Sequence, residues 1–221
     1  MGLFGSLFGG KKKKTSVFPP EIERIFEKMA RLMEDEKQQN SMYPPQIRNQ
    51  IIGGHDVDEL PYAEGDFGRT EENPIPVNGS IGELIYLSSI KTSDGNRVLY
   101  HRLGSAEGID IYETVSIDGQ SWDLMYFSMY HPRKSRKAPS VYSIVKMNEQ
   151  PLLFGTNRRV DNFPYGLQDA ISSTTKEIFE IPMPPPQVRE AEEKVQFLRP
   201  NDHQSRVQSI LAEVSGFRGA K

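Results

Sequence analysis

A chain of 221 residues suits one main core with appendages, and an apolar share of 36% leaves part of it outside that core. The net charge is −3, but Lys11, Lys12, Lys13 and Lys14 supply +4 of it, so the remaining body carries about −7 and is a poor match for phosphate backbones, which disfavours nucleic acid as a partner. The absence of cysteine removes disulfides, thiolate nucleophiles and Cys-based zinc sites and fits a reducing, cytoplasmic setting.

Residues 1–18 read as a flexible cationic and apolar tail. In MGLFGSLFGGKKKK, the side chains Leu3, Phe4, Leu7 and Phe8 fall on one side of a short helical turn, with only Gly and Ser opposite. The charges follow the short apolar segment instead of preceding it, which is the wrong order for a secretory signal. No apolar run approaches the ~20 residues that span a bilayer. An apolar wedge backed by Lys11, Lys12, Lys13 and Lys14 is a two-signal anchor for an anionic membrane surface, with each cation worth ~1 kcal/mol near such a leaflet. Gly2 and Ser6 also match the M-G-x-x-x-[ST] myristoylation pattern, which has meaning only in a eukaryotic host.

Residues 19–40 predict an amphipathic helix. Ile22, Ile25, Phe26, Met29, Leu32 and Met33 recur at three and four residues, and the expectation is that this face packs on the protein's own core; a partner or membrane surface is the alternative. Residues 41–80 show no period and carry Asp56, Asp58, Glu59, Glu64, Asp66, Glu71 and Glu72. This acidic, irregular arm is either a structured wrap or a mobile segment, and Tyr43, Tyr62 and Phe67 favour docking.

Residues 81–181 predict an antiparallel core. ELIYLSSI, NRVLYHRL, IDIYETVSI and SWDLMYFSMY are rich in β-branched and aromatic residues, and Asp-Gly at TSDGN and SIDGQ supplies the positive φ of tight hairpins. A four-stranded, or slightly larger, antiparallel meander follows, flanked by helices in an α+β fold. In the third run Ile109, Ile111, Val115 and Ile117 share a face that Glu113 interrupts, and the fourth run is apolar on both faces, as a central strand would be. VYSIVKM and PLLFG predict further strands and FPYGLQDAISSTTKEIF a helix.

Residues 182–221 predict a stiff IPMPPP linker and two C-terminal helices. Val188, Ala191, Val195 and Leu198 mark the first. Val207, Ile210, Leu211 and Val214 mark the second, capped near Asn201 or Asp202 and ending at Gly216.

Local motifs do not support an enzyme, for there is no nucleophile elbow, phosphate-cradling glycine loop or histidine pair at ligand spacing. No cofactor and no metal site is called for. The candidates for acid-base chemistry are His101, His131 and Glu113, because each histidine follows a tyrosine (Tyr100, Tyr130) at an expected strand end. Arg102, with Arg133, Lys134, Arg136 and Lys137 of HPRKSRKAP, is a candidate anion-binding set, supplemented by Arg158 and Arg159. A solvated loop, or docking of this loop on the acidic arm, competes with that reading.

The sequence thus reads as a cytoplasmic, non-enzymatic binding or scaffold protein at the inner face of a membrane, with an anionic lipid surface and an unidentified protein as partners. The alternatives are a small-ligand or anion-binding domain, enzymatic or not, using the strand-end polar groups, and an accessory protein that touches nucleic acid through the basic loop.

Overall fold

A computed structural model of the chain describes residues 19–145, 157–160 and 199–219. The tail, PLLFG, the helix expected at FPYGLQDAISSTTKEIF, the IPMPPP linker and the helix marked by Val188 lie outside them.

Three helices open the described chain. α1 spans Pro20–Glu34 and starts on two prolines, whose fixed φ and missing N–H suit a first turn. α2 (Glu36–Ser41) is capped by Asp35, whose carboxylate accepts the Gln38 N–H at 3.0 Å, and α3 (Pro45–Gly53) again begins on a proline. Gly54, which follows, lies against the Tyr130 carbonyl: a Cβ would stand 1.8 Å from that oxygen, so only glycine fits.

The acidic arm is a structured wrap. Asn73 donates to Glu59 Oε1 and to the Gly65 carbonyl, both at 2.9 Å, and its own carbonyl accepts the Gly68 N–H. Phe67 is buried, whereas Tyr62, expected to dock, is fully exposed. The arm ends in β1 (Ile75–Pro76), which lies parallel to β5 at the sheet edge, where Pro76 is tolerated.

The run ELIYLSSI, expected to be the first strand, belongs instead to helix α4 (Gly79–Ser89). Glu83, Ile85, Tyr86 and Leu87 are all buried and only Ile81, Leu84 and Ser88 are half-buried, so most of the segment is covered and its apolar residues show neither alternation nor a clean helical stripe. Only β2 (Ile90–Thr92) remains of that strand. The Asp94-Gly95 turn forms after it, but β2 pairs with β6 (Tyr142–Ile144) in a separate two-stranded sheet.

The next three expected strands are present as β3 (Val98–Ala106), β4 (Ile109–Ser116) and β5 (Trp122–Ser128), antiparallel in sequence order. Glu107 and Gly108, both at positive φ, turn β3 into β4, and Gly119 turns β4 into β5. The main sheet has the order β1-β5-β4-β3-β7, where β7 (Arg158–Arg159) pairs parallel to β3. The fold is therefore mixed α+β, with parallel edge pairs, rather than a pure antiparallel meander.

Each face of this sheet is covered. Tyr100, Tyr112, Met125 and Phe127 pack against Tyr86 and Leu87 of α4, and the Tyr112 and Phe127 rings meet edge-on at 5.4 Å. On the other face Leu103, Ile111 and Leu124 meet Val207, Ile210 and Val214 of α5 (Asn201–Gly219), which continues past the expected stop at Gly216. The register slips between Arg102 and Gly104, and at Gly104 a Cβ would stand 2.2 Å from Val214 Cγ1. This glycine lets α5 lie close to the strand.

The α1 stripe does not pack on the core as a whole. Met33 is buried, but Ile25 is 61% and Met29 45% exposed.

Candidate functional site

Glu113, the carboxylate that interrupts an apolar face of β4, is completely buried beneath α5. His101 stands directly opposite it on β3, with Nε2 3.0 Å from Oε2. Arg199 donates through Nη2 to both oxygens, at 2.6 and 2.7 Å, and His203 Nε2 is 2.9 Å from Oε1. The Trp122 ring closes the cluster, with the Arg199 guanidinium 5.0 Å and the His203 ring 5.6 Å from its centre. Burial by itself would raise the carboxyl, yet the hydrogen bonds from His101 and His203 and the charge of Arg199 outweigh it and hold Glu113 at about 2. With its oxygens so occupied, the group is a clamp for α5 rather than a free general base.

His131 is not part of that cluster. Its Nε2 lies 3.0 Å from Ser128 Oγ and its Nδ1 3.0 Å from the His55 carbonyl. Ser128 is four residues beyond Leu124, the partner of Glu113 in β5, which is ~13 Å along the strand. Burial lowers the His131 pKa, favouring a neutral ring that fastens the arm. The strand-end histidines thus have separate tasks, and only the His101–Glu113 pairing is realised.

Arg102 lies on the opposite face of the sheet, because strand neighbours alternate. It grips Asp110 with Nε and Nη2, both at 2.7 Å, while Ser105 bonds the same pair. Beside this pair is Glu83 of α4, 1% exposed. The Tyr112 hydroxyl donates to Glu83 Oε2 at 3.0 Å, and Oε1 has no hydrogen-bond partner among the described residues. Burial, then the neighbouring charge of Asp110, pushes Glu83 up to about 8, so it holds a proton at neutral pH.

These groups line a cleft of about 470 Å³ between α3, α4 and the sheet. Ile47, Ile51, Leu84 and Met129 make its apolar wall, and Tyr43, Tyr112 and Tyr130 contribute rings. Gly79 has φ +69°, and a Cβ there would stand 2.6 Å from the Tyr43 hydroxyl, which accepts the Ile81 N–H at 2.6 Å and donates to the Asn78 carbonyl. The start of α4 and the tyrosine thus hold one another in place. Sequence reasoning singled out Arg102 here but missed Glu83, Asp110 and Tyr112. The available signal was Glu83, an acid inside an otherwise apolar run, as Glu113 is in β4.

The basic loop faces the acidic arm. Arg133 bonds Asp56 and Asp58, the latter at 2.5 Å, the Arg136 N–H donates to Asp58 at 2.8 Å, Lys137 Nζ is 2.5 Å from Glu59, and Lys134 Nζ is 3.4 Å from Glu36. Of the readings open to HPRKSRKAP, docking on the arm describes the contacts of Arg133, Arg136 and Lys137, while Lys134 reaches Glu36 of α2. The tail residues Leu3, Phe4, Leu7, Phe8 and Lys11, Lys12, Lys13 and Lys14 lie outside the described residues.

Among the described residues no three His, Asp or Glu side chains are placed to hold a metal, and no helix is long and apolar enough to cross a membrane. Fold and clusters together define a mixed α+β protein with a carboxyl-lined cleft on one sheet face and a buried carboxylate clamp on the other. No protein-family model, curated protein or solved structure matches the chain.

Proposed function

We propose that the protein is a non-enzymatic binding protein that works at an anionic membrane surface, located there by its N-terminal tail and α1. The observation that carries the reading is the exposure of Ile25 and Met29 on a helix that leads directly from the tail. Apolar side chains on one helix face that the described residues leave exposed favour an interface, at ~25 cal/mol per Å² buried. The helix itself carries both signs of charge, so attraction to anionic lipid falls to Lys11–Lys14. Flotation with vesicles containing phosphatidylserine tests it. Full-length protein should float, while the Ile25→Glu/Met29→Glu variant and a chain lacking residues 1–14 should each bind markedly less; equal flotation of all three ends the proposal.

A second reading, a small-ligand domain, is favoured by the cleft that gathers Arg102, Asp110, Glu83 and Tyr112 beside an apolar wall. The two are compatible, since α1 and the cleft are different surfaces.

A further inference from the structure

The Glu83 cleft contains a polar group whose bonding is incomplete. Asp110 has its own counter-cation, because Arg102 holds both of its oxygens. Among the described residues no cation bonds Glu83, although the Arg102 charge acts on it: Tyr112 satisfies Oε2, Oε1 of this buried side chain has no hydrogen-bond partner, and Glu83 is one of the residues that line the space. A buried carboxyl in that position is stabilised either by a proton or by an incoming cation that also donates hydrogen bonds.

We infer that the cleft binds a small organic ammonium compound with an apolar body, seating its nitrogen on Glu83 beside Asp110. The inference rests on the reading of the cleft as a ligand site and names the chemistry of its occupant.

The rest of the cleft fits that occupant. Ile51, Leu84 and Met129 offer an apolar wall, and the rings of Tyr43 and Tyr130 suit both the body of such a molecule and its charge. An anion would meet two adjacent carboxyl groups, and Arg102 is already committed to Asp110. The groups facing Glu83 are Asp110, Tyr112 and Arg102 from the sheet and Tyr43 from the α2–α3 link, with Arg159 of β7 also lining the cleft.

Because the empty site holds a proton on Glu83 up to about pH 8, the ammonium replaces it. The protonated carboxyl gives its proton to solvent, and the carboxylate accepts an N–H from the ligand; no other bond changes. Affinity should therefore rise ~10-fold per pH unit between pH 6 and 8 and level off above.

Calorimetric titration of the full chain with 2-phenylethylamine, beside 2-phenylethanol and 3-phenylpropionate, tests this without vesicles. The expected result is saturable binding of the amine alone, with release of most of one proton at pH 7 read from two buffers of different ionisation enthalpy. Glu83→Gln should weaken it by at least ~10-fold. Should that variant fail to fold, Ile47→Trp, which fills the cleft from a 42% exposed position on α3, should abolish binding instead. Amine binding without proton release overturns the seating on Glu83. Binding of the alcohol or the acid that Ile47→Trp abolishes overturns the ammonium assignment and keeps the cleft as a ligand site. Failure of all three probes overturns both.

Discussion

His101 and Glu113 face each other across the β3–β4 ladder, 3.0 Å apart, and the same carboxylate also receives Arg199 and His203 from the C-terminal segment. One buried acid thereby ties a sheet face to a helix that begins 88 positions further along the chain. The apolar contacts of Val207, Ile210 and Val214 position α5 on that face, and the clamp sets its register.

Removing the charge should release that register. Glu113→Gln leaves the Arg199 guanidinium buried without its carboxylate, a situation that typically costs ~3–5 kcal/mol. A lower urea midpoint, with loss of amide-exchange protection concentrated in 201–219, is the expected outcome. Unchanged protection in α5 would show that the clamp is dispensable.

The two buried acids impose opposite pH dependences. Glu113 is depressed to about 2 from 4.5, so its contribution is present above pH 4.5 and is lost as pH falls toward 2, up to ~3 kcal/mol. Glu83 is raised to about 8 from the same value, so its contribution is present below pH 4.5 and declines as pH rises toward 8, by up to ~1.4 kcal/mol per pH unit. Stability measured by denaturant titration should peak near pH 4 to 5 on account of this pair. Glu83→Gln should flatten the limb above the peak and leave the acid limb in place.

Gly104 and Val214 are coupled by contact. Gly104→Ala drives a methyl into Val214 Cγ1 and should cost ~1–3 kcal/mol. Adding Val214→Ala opens the space, so the double variant should be more stable than the sum of the two single losses requires. Strict additivity in a urea double-mutant cycle would mean that α5 shifts without resistance.

The loop-to-arm ion pairs should matter little to global stability. Asp56 and Asp58 are 69% and 44% exposed, so Arg133→Ala should cost less than ~1 kcal/mol, and the difference should shrink with added salt. Limited proteolysis is the sharper measurement, since the arm near Asp56 should be cut faster in the variant.

Much of the fold was legible because its signals are local. Gly119 of SIDGQ marks the β4–β5 hairpin by the positive φ that its turn demands, and alternation along 109–117 placed Ile111 and Val115 on one face with Glu113 among them. The spacing of Val207, Ile210 and Val214 marked α5 and its buried side. The charge pattern also raised the docking of HPRKSRKAP on the acidic arm as one reading among several.

Other features depended on what lies across space. ELIYLSS was not legible as a helix because most of α4 is buried, and a short apolar run carries no period that separates helix from strand under those conditions. Glu83 meets Tyr112 from 29 positions away, and Glu113 meets Arg199 and His203 from 86 and 90. The sequence by itself determined that two acids, Glu83 and Glu113, stand within apolar runs, and alternation singled out Glu113 alone. Tertiary structure alone decided that one would be clamped by cations and the other buried beside Asp110 at a cleft wall, because a buried carboxyl's character is set by the partners that packing delivers, and chain spacing does not encode them.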